Sequence, residues 1–476
     1  LKILFVAAEC VPFAKVGGLA DVVPALARAL RELGVETAIV LPHYRGVAEK
    51  TELGECATVN VPLAGEVRSC KVCRGTLPRE EVPVYFLDYP PYFDRPGIYG
   101  ERGKEYPDSL ERFAFLSRAA LAIPEAVGFV PDVFHVHDWH AALVPVYARF
   151  DGAMEAKVLL TIHNLAYQGI YPRKRAMALG LPQGMISAIT HRGELNLLYG
   201  GIKFADLVNT VSPTYAQEIQ EDGEGLEEIL RERAQKGELF GILNGVDYEV
   251  WNPEIDPFIW AHYSAAGPAR KAINKERLQR ELGLAPEADV PLVGMISRLV
   301  DQKGFDLVMS AFERMMSLGI QFVLLGTGNP NYEEFFRIAI RRHPGRAAAL
   351  ITFSEEWAHR IEAACDIFLM PSKFEPCGLN QMYSLRYGTV PVVRATGGLA
   401  DTVREYDPAT DTGNGFVFSE YSLEAMLAAL RRAVDLYRGD RGAWRRLMVR
   451  GMCEDHSWRA SAREYMKLYG RLVGAS

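Results

Sequence analysis

The apolar positions of this chain fall into one alternation, and the chain runs through it twice. Ile3 to Ala7 is a continuous apolar run of strand length. Gly17-Gly18 marks a turn. Leu19, Val22, Val23, Leu26, Leu30 and Leu33 then recur at the spacing of a helix packed on one face. Gly34 ends that helix, and Thr37 to Leu41 reads as the next strand. Further strands are predicted at Val84–Leu87, Val133–Val136 and Val158–Ile162, with helical patterns between them. Pro291 to Ile296 restarts the alternation. A polar turn, Arg298 to Gly304, leads into a helix marked by Phe305, Leu307, Val308, Ala311, Phe312 and Met315. Strands follow at Gln321–Leu325, closed by Gly326-Thr327-Gly328, then at Ile367–Met370 and Val390–Val393.

Apolar strands that alternate with helices give α/β folds with parallel, doubly wound sheets. Two such sheets are predicted. The boundary falls near Leu243 to Asp256, where Asn244-Gly245 and Asn252-Pro253 are turn signals. Gly17-Gly18-Leu19-Ala20-Asp21 recurs as Gly397-Gly398-Leu399-Ala400-Asp401. Each copy lies between an apolar strand and a helix. Each therefore offers a helix N-terminus at the carboxyl end of a sheet, where open α/β folds bind ligands. The same five residues also suit an ordinary strand-to-helix turn.

Length and composition fit this picture. The 476 residues suffice for two or three domains, with 49% hydrophobic and 24% charged residues, as in globular proteins. A net charge of -7 and a pI near 5.9 speak against a broad basic face for nucleic acid or an anionic membrane. No stretch approaches the ~20 apolar residues of a membrane span. The first apolar run is short and Glu9 and Lys15 follow it, so it reads as a buried strand rather than a signal peptide. Cys10, Cys56, Cys70, Cys73, Cys365, Cys377 and Cys453 are sparse and odd in number, the usage of reduced thiols in a cytoplasm. Cys70 and Cys73 form one CxxC without a second pair, short of a four-ligand zinc site.

The chemistry-bearing residues cluster at predicted strand ends. Arg298 and Lys303 lie in the loop after one strand, and Lys15 lies in the matching loop of the first half. A departing diphosphate gains negative charge, which Arg can grip bidentately and Lys can meet as a point charge. Surface charge is the ordinary fate of any one such residue, but three in strand-end loops favour a phosphate site. His135, His137 and His140 flank Asp138 at the end of another strand. Strand alternation puts His135 and His137 on one face, but no further Cys/His cluster completes a metal site, and Asp138 reads better as a substrate contact. Thr161-Ile162-His163-Asn164 ends the neighbouring strand. In Phe374-Glu375-Pro376-Cys377-Gly378-Leu379, Glu375 precedes a helix N-terminus, and the N–H groups of Gly378 and Leu379 could hold an oxyanion or sugar hydroxyls. No GxGxxG follows a strand and no GxxxxGK[ST] occurs, which counts against a dinucleotide dehydrogenase and a P-loop NTPase.

Taken together, these motifs resemble the bacterial glycogen synthase and plant starch synthase family nearly end to end. The residues that carry the resemblance are Lys15-Val16-Gly17-Gly18-Leu19-Ala20-Asp21, His137-Asp138-Trp139-His140, Thr161 to Gly169 and Asn244-Gly245-Val246-Asp247. In the second half they are Ser297-Arg298-Leu299 with Gln302-Lys303-Gly304, Phe374 to Leu379, and Thr396-Gly397-Gly398-Leu399. Val16 stands where Thr is frequent, and Asn380 where many relatives have Thr; neither change removes a charge.

The resemblance implies a GT-B fold of two Rossmann-like domains facing a deep cleft. Residues 1–243 would form the first domain and 244–456 the donor domain. The C-terminal segment 457–476, with a helix near Trp458 to Leu472, would cross back to the first. It implies retaining transfer of glucose from ADP-glucose to the non-reducing end of an α-1,4-glucan in the cytoplasm, with no metal or other cofactor. By motif match, Arg298 and Lys303 hold the donor diphosphate, and Lys15 and the Gly18 backbone approach it. Asp138, His163, Asn244 and Glu375 surround the glucose, and Phe353 stacks on the base. Asp21, Tyr99, Asn164, Cys377, Gly378, Leu379, Thr396, Gly397 and Gly398 complete the expected contacts. A UDP-glucose or small-sugar transferase, a phosphorylase using pyridoxal phosphate and a non-catalytic glucan binder share the frame. The intact charged set argues against the last. Both Arg298 and Lys303 are expected on open loops, where truncation leaves stability unchanged.

Overall fold

The strands predicted as continuous apolar runs lie inside sheets, buried on both faces. Gln321–Leu325 shows why. Phe322 and Leu324 join one hydrophobic cluster with Phe305, Phe312 and Phe336, while Val323 and Leu325 join another with Leu278 and Ile361. A strand between two helical layers is buried on both faces and reads as a near-continuous apolar run. The polar Gln321 at its start is buried, with its Oε1 accepting from Gln279 Nε2 and its Nε2 donating to the Ala285 carbonyl. The computed structural model describes residues 1–78, 81–152 and 155–474. The chain divides into two units, Leu1–Asn244 with Trp458–Ser476, and Gly245–Ser457.

The first unit carries a nine-stranded sheet. From one edge its strands run Leu239–Gly241, Leu207–Thr210, Lys157–Ile162, Val133–His137, Lys2–Val6, Glu36–Pro42 and Pro83–Asp88, all parallel. Glu66–Thr76 and Gly54–Leu63 then add an antiparallel hairpin. The sheet is therefore mixed rather than wholly parallel. The hairpin escapes a search for apolar runs because only one face is covered: Val59, Val61, Leu63, Cys70 and Val72 are buried while Thr58, Asn60 and Lys71 are exposed. Cys70 and Cys73, three apart on a strand, point to opposite faces, and none of the seven cysteines is paired in a disulfide.

The predicted first helix is found at Leu19–Glu32, and Gly34 closes it in the left-handed region at φ 84°. The last helix, Trp458–Val473, belongs to this unit and packs against Leu19–Glu32. Its Tyr469 hydroxyl lies 2.8 Å from His135 Nδ1, and its Tyr465 hydroxyl accepts from Asn209 Nδ2 at 3.1 Å.

The second unit carries six parallel strands, in the order Ala347–Leu350, Gln321–Leu325, Leu292–Ile296, Ile367–Met370, Val390–Arg394 and Phe416–Phe418. In each sheet the chain starts near the middle, fills one side and then returns to fill the other. The reversal falls between Lys2–Val6 and Val133–His137 in the first unit, and between Leu292–Ile296 and Ile367–Met370 in the second. Loops leaving such a pair of strands diverge to opposite faces and open a crevice at their carboxyl ends.

Candidate active site

The crevice of the second unit holds a cavity of about 180 Å³ whose lining includes Arg298, Lys303, Ser372, Glu375, Gly378 and Asn380. Two loops shape it. The Ser297–Gly304 loop is clamped by the turn Gly326-Thr327-Gly328: Leu299 N donates to Thr327 O, and Asn329 N donates to Leu299 O. A Cβ on Gly326 would stand 1.9 Å from the Ser297 carbonyl oxygen, so only glycine permits that contact. Arg298 projects from this clamp exposed, with no side-chain partner among the described residues.

Lys303 is not free. Its Nζ lies 2.5 Å from Glu375 Oε2, which Ser372 Oγ also reaches at 3.1 Å. The two side chains are 18% and 8% exposed, so the carboxylate has little water of its own. Sequence reasoning gave Lys303 to the phosphate and Glu375 to the sugar; the fold joins them as one pair. Asn380 Nδ2, at the start of the helix Asn380–Arg386, donates to the Ile296 carbonyl at 2.8 Å and ties that helix to the end of the strand Leu292–Ile296.

The second Gly-Gly pair has a packing role. Gly397 has φ 43°, and a Cβ there would meet the Glu375 carbonyl oxygen at 1.9 Å. A Cβ on Gly398 would meet the Cys377 carbonyl oxygen at the same distance, and its N–H donates to the Glu375 and Pro376 carbonyls. Thr396 and Cys377 are buried beside them. These glycines let the Gly397–Thr402 helix lie directly against the backbone that presents Glu375. Gly378, at φ 69°, and Leu379 lead from there into the helix Asn380–Arg386. Phe353 is 85% exposed, on the loop after Ala347–Leu350.

The first unit's Gly-Gly pair differs. Gly18 has φ -66°, and a Cβ there would touch nothing within 4 Å. Nothing inside the unit demands glycine at that position. Lys15 Nζ pairs with Asp21 Oδ1 at 2.8 Å, both well exposed. Glu9 organises this loop. Its Oε2 accepts from the backbone N–H of Val16 at 2.5 Å and of Gly17 at 2.7 Å, and its Oε1 accepts from the Tyr99 hydroxyl at 2.5 Å. Sequence reasoning missed Glu9; the available signal was a carboxylate three residues past a strand with a continuous apolar run.

Across the reversal, Asp138 sits at φ 55°, an uncommon backbone for a residue other than glycine. Its Oδ1 accepts from His163 N at 2.7 Å. Burial pushes its carboxyl up to about 7, against backbone hydrogen bonds from His163 and Asn164 that favour the anion. The His163 ring meets His137, Nε2 to Nδ1, at 2.9 Å. Asn164 Oδ1 accepts from Ala166 N, turning the chain away from the strand. His135 is held at both ring nitrogens, by Tyr469 and by Thr161 at 2.6 Å, and His140 stacks on Tyr99. Among the described residues no three His, Cys, Asp or Glu side chains are grouped to hold a metal. Asn244, at the end of the first unit, is buried with Oδ1 unpaired.

Residues 2–232 match the starch synthase catalytic domain model, and residues 277–444 match glycosyl transferases group 1. A glycogen synthase of Anaeromyxobacter dehalogenans is 48% identical over 483 residues, covering 99% of this chain and 100% of the relative. The chain belongs to the glycogen and starch synthase family. A glycogen synthase of Thermosipho africanus is 44% identical over 99% of both chains. Among solved structures, the catalytic domain of starch synthase IV from Arabidopsis thaliana, bound to ADP and acarbose, matches with a TM-score of 0.89 at 37% identity, covering 100% of this chain and 99% of that one. A sucrose-phosphate synthase from Thermosynechococcus elongatus, at 18% identity and a TM-score of 0.60, shares the fold. That fold is GT-B, and family membership makes the chain a glycosyltransferase.

Proposed function

We propose that this chain transfers glucose from ADP-glucose to the non-reducing end of an α-1,4-glucan, with retention at the anomeric carbon. The observation that carries the reading is the second-unit cavity, where Arg298 and the Lys303–Glu375 pair converge at the reversal of the sheet. Breaking the anomeric bond leaves positive charge on the sugar and negative charge on the diphosphate. Arg298 and the remaining N–H groups of Lys303 meet the diphosphate, and Glu375 keeps Lys303 in place. In the first unit, Lys15 and the Gly18 backbone approach the phosphates, while Asp138 and the His163 carbonyl face the cationic sugar. Fixed charges of this kind stabilise separated charge without reorganising. Phe353, an exposed aromatic on the loop after Ala347–Leu350, is assigned to the adenine. Asn244 would lie beside the sugar.

ADP is chosen over UDP because the Arabidopsis starch synthase that aligns over the whole chain is described with ADP and acarbose. The fixed cations make a metal unnecessary on this reading, and no other cofactor is assigned. Cysteines without disulfides support a cytoplasmic setting. No helix among the described residues is long and apolar enough to cross a membrane. The test is incubation with glycogen and ADP-glucose or UDP-glucose at equal concentration, measuring nucleoside diphosphate release before and after dialysis against EDTA. Faster release from ADP-glucose, unchanged by EDTA, is expected. A preference for UDP-glucose overturns the donor, and metal-restored activity overturns the metal-free reading.

A further inference from the structure

His163 is held at two points by consecutive residues of the neighbouring strand end. Asp138 Oδ1 takes its backbone N–H at 2.7 Å, and His137 Nδ1 meets its ring Nε2 at 2.9 Å. His137 is fully buried, beneath Phe5 and beside His135, and its own Nε2 has no partner among the described residues. His163 is half-buried, and its Nδ1 has no protein partner among the described residues. Burial holds His163 at about 3 and His137 well below the ordinary imidazole range, so both rings are neutral and each carries one proton.

Two neutral rings joined by one hydrogen bond have two arrangements. If His163 Nε2–H donates, His137 must carry its proton on the buried Nε2, leaving an N–H donor without an acceptor. If His137 Nδ1–H donates, the unpaired atom is a bare acceptor, the cheaper defect, because orphaned buried N–H groups are the rarer kind. We infer that His137 is a positioning residue that fixes His163 as the Nδ1–H tautomer, so that His163 presents a ring N–H donor to a hydroxyl of the bound sugar. The inference rests on the proposed placing of glucose beside His163. It adds that the ring reads the sugar as a donor and that a residue without substrate contact sets that polarity.

The test uses protein labelled with 15N-histidine, assigning His163 by its loss in His163→Gln. Long-range 15N–1H spectra of the wild type should show His163 with Nδ1 protonated and Nε2 bare. His137→Asp puts an acceptor in place of the donor; it should reverse the His163 tautomer and lower kcat/KM about tenfold, the worth of one misdirected hydrogen bond. His137→Asn keeps a donor near the Nδ1 position and should restore the tautomer and most of that loss. A wild-type His163 protonated on Nε2 overturns the inference, as does a His137→Asp protein whose tautomer and kcat/KM are both unchanged. If His137→Asp does not fold, the wild-type spectrum and the Asn variant decide. Wild-type protein that shows the expected tautomer yet transfers no glucose refutes the transferase reading and leaves the positioning of His163 standing.

Discussion

Lys303 Nζ and Glu375 Oε2 stand 2.5 Å apart at the carboxyl ends of two adjacent parallel strands, joined by residues 72 apart in sequence. An open-loop lysine could be truncated without cost. This one could not, because Glu375 would remain as a buried carboxylate held, among the described residues, by Ser372 alone. Removing one partner of a buried pair costs about 3–5 kcal/mol, and Lys303's partial exposure puts the expected loss for Lys303→Ala nearer 2–3 kcal/mol. Thermal unfolding should register it, with kcat reduced about 10²-fold as well. Lys303→Met combined with Glu375→Gln should recover stability but not activity. Wild-type stability for Lys303→Ala alone would show that the pair is not a structural unit.

Arg298 provides the contrast. It is exposed and has no side-chain partner among the described residues, so Arg298→Ala should change stability by less than about 0.5 kcal/mol. If its guanidinium meets charge that grows as the diphosphate leaves, kcat should still fall about 10²-fold. Unchanged kcat in a folded variant would reduce Arg298 to surface charge.

The two Gly-Gly pairs should respond to alanine in opposite ways. Gly18→Ala meets open space at an ordinary φ, so folding should be unaffected, while the affinity for ADP falls about tenfold or more if a phosphate approaches that backbone. Gly398→Ala drives a Cβ to 1.9 Å from the Cys377 carbonyl oxygen and should cost about 2–3 kcal/mol before any question of binding. Calorimetric ADP titration and thermal unfolding of both variants separate the two. A Gly398→Ala protein as stable as wild type, or a Gly18→Ala protein that binds ADP normally, would reverse the assignment.

What the sequence made legible follows from where each signal is written. Strands buried on both faces announce themselves as apolar runs, and strand ends bearing Arg, Lys, Asp or His could be placed at the sheet's carboxyl edge before any coordinates. The Gly54–Leu63 and Glu66–Thr76 hairpin could not, because half of its positions face water. Nor could the Lys303–Glu375 pair, since a side chain's partner across two loops has no local signature. In the sequence Glu9 marks only the end of the first apolar run; its task, accepting from Val16, Gly17 and Tyr99, exists only once the chain folds back over it. The repeated Gly-Gly-Leu-Ala-Asp leaves two readings open in the sequence, paired ligand-binding helix N-termini and an ordinary turn, and it does not show that packing demands the glycines of the second copy and not Gly18 of the first.

Asp138 links the site to pH. Burial raises its carboxyl to about 7, well above the ordinary aspartate value, so in the folded enzyme it stays largely protonated below neutrality. The folded state then binds more protons at this group than the unfolded state between roughly pH 4 and 7. Its contribution to stability is therefore complete in acid and is lost as pH rises through about 7. Activity should run the other way, because only the anion favours a cationic sugar. The rate kcat should rise through an apparent pKa near 7 and level off above it. Asp138→Asn, which cannot ionise, should remove that acidic limb, lower the plateau about 10²-fold and be more stable than wild type at pH 8. A pH profile of kcat for both proteins, with thermal unfolding at pH 5 and pH 8, checks each statement. A wild-type profile flat from pH 5 to 8 would mean that Asp138 is already ionised throughout, and that its backbone hydrogen bonds from His163 and Asn164 outweigh its burial.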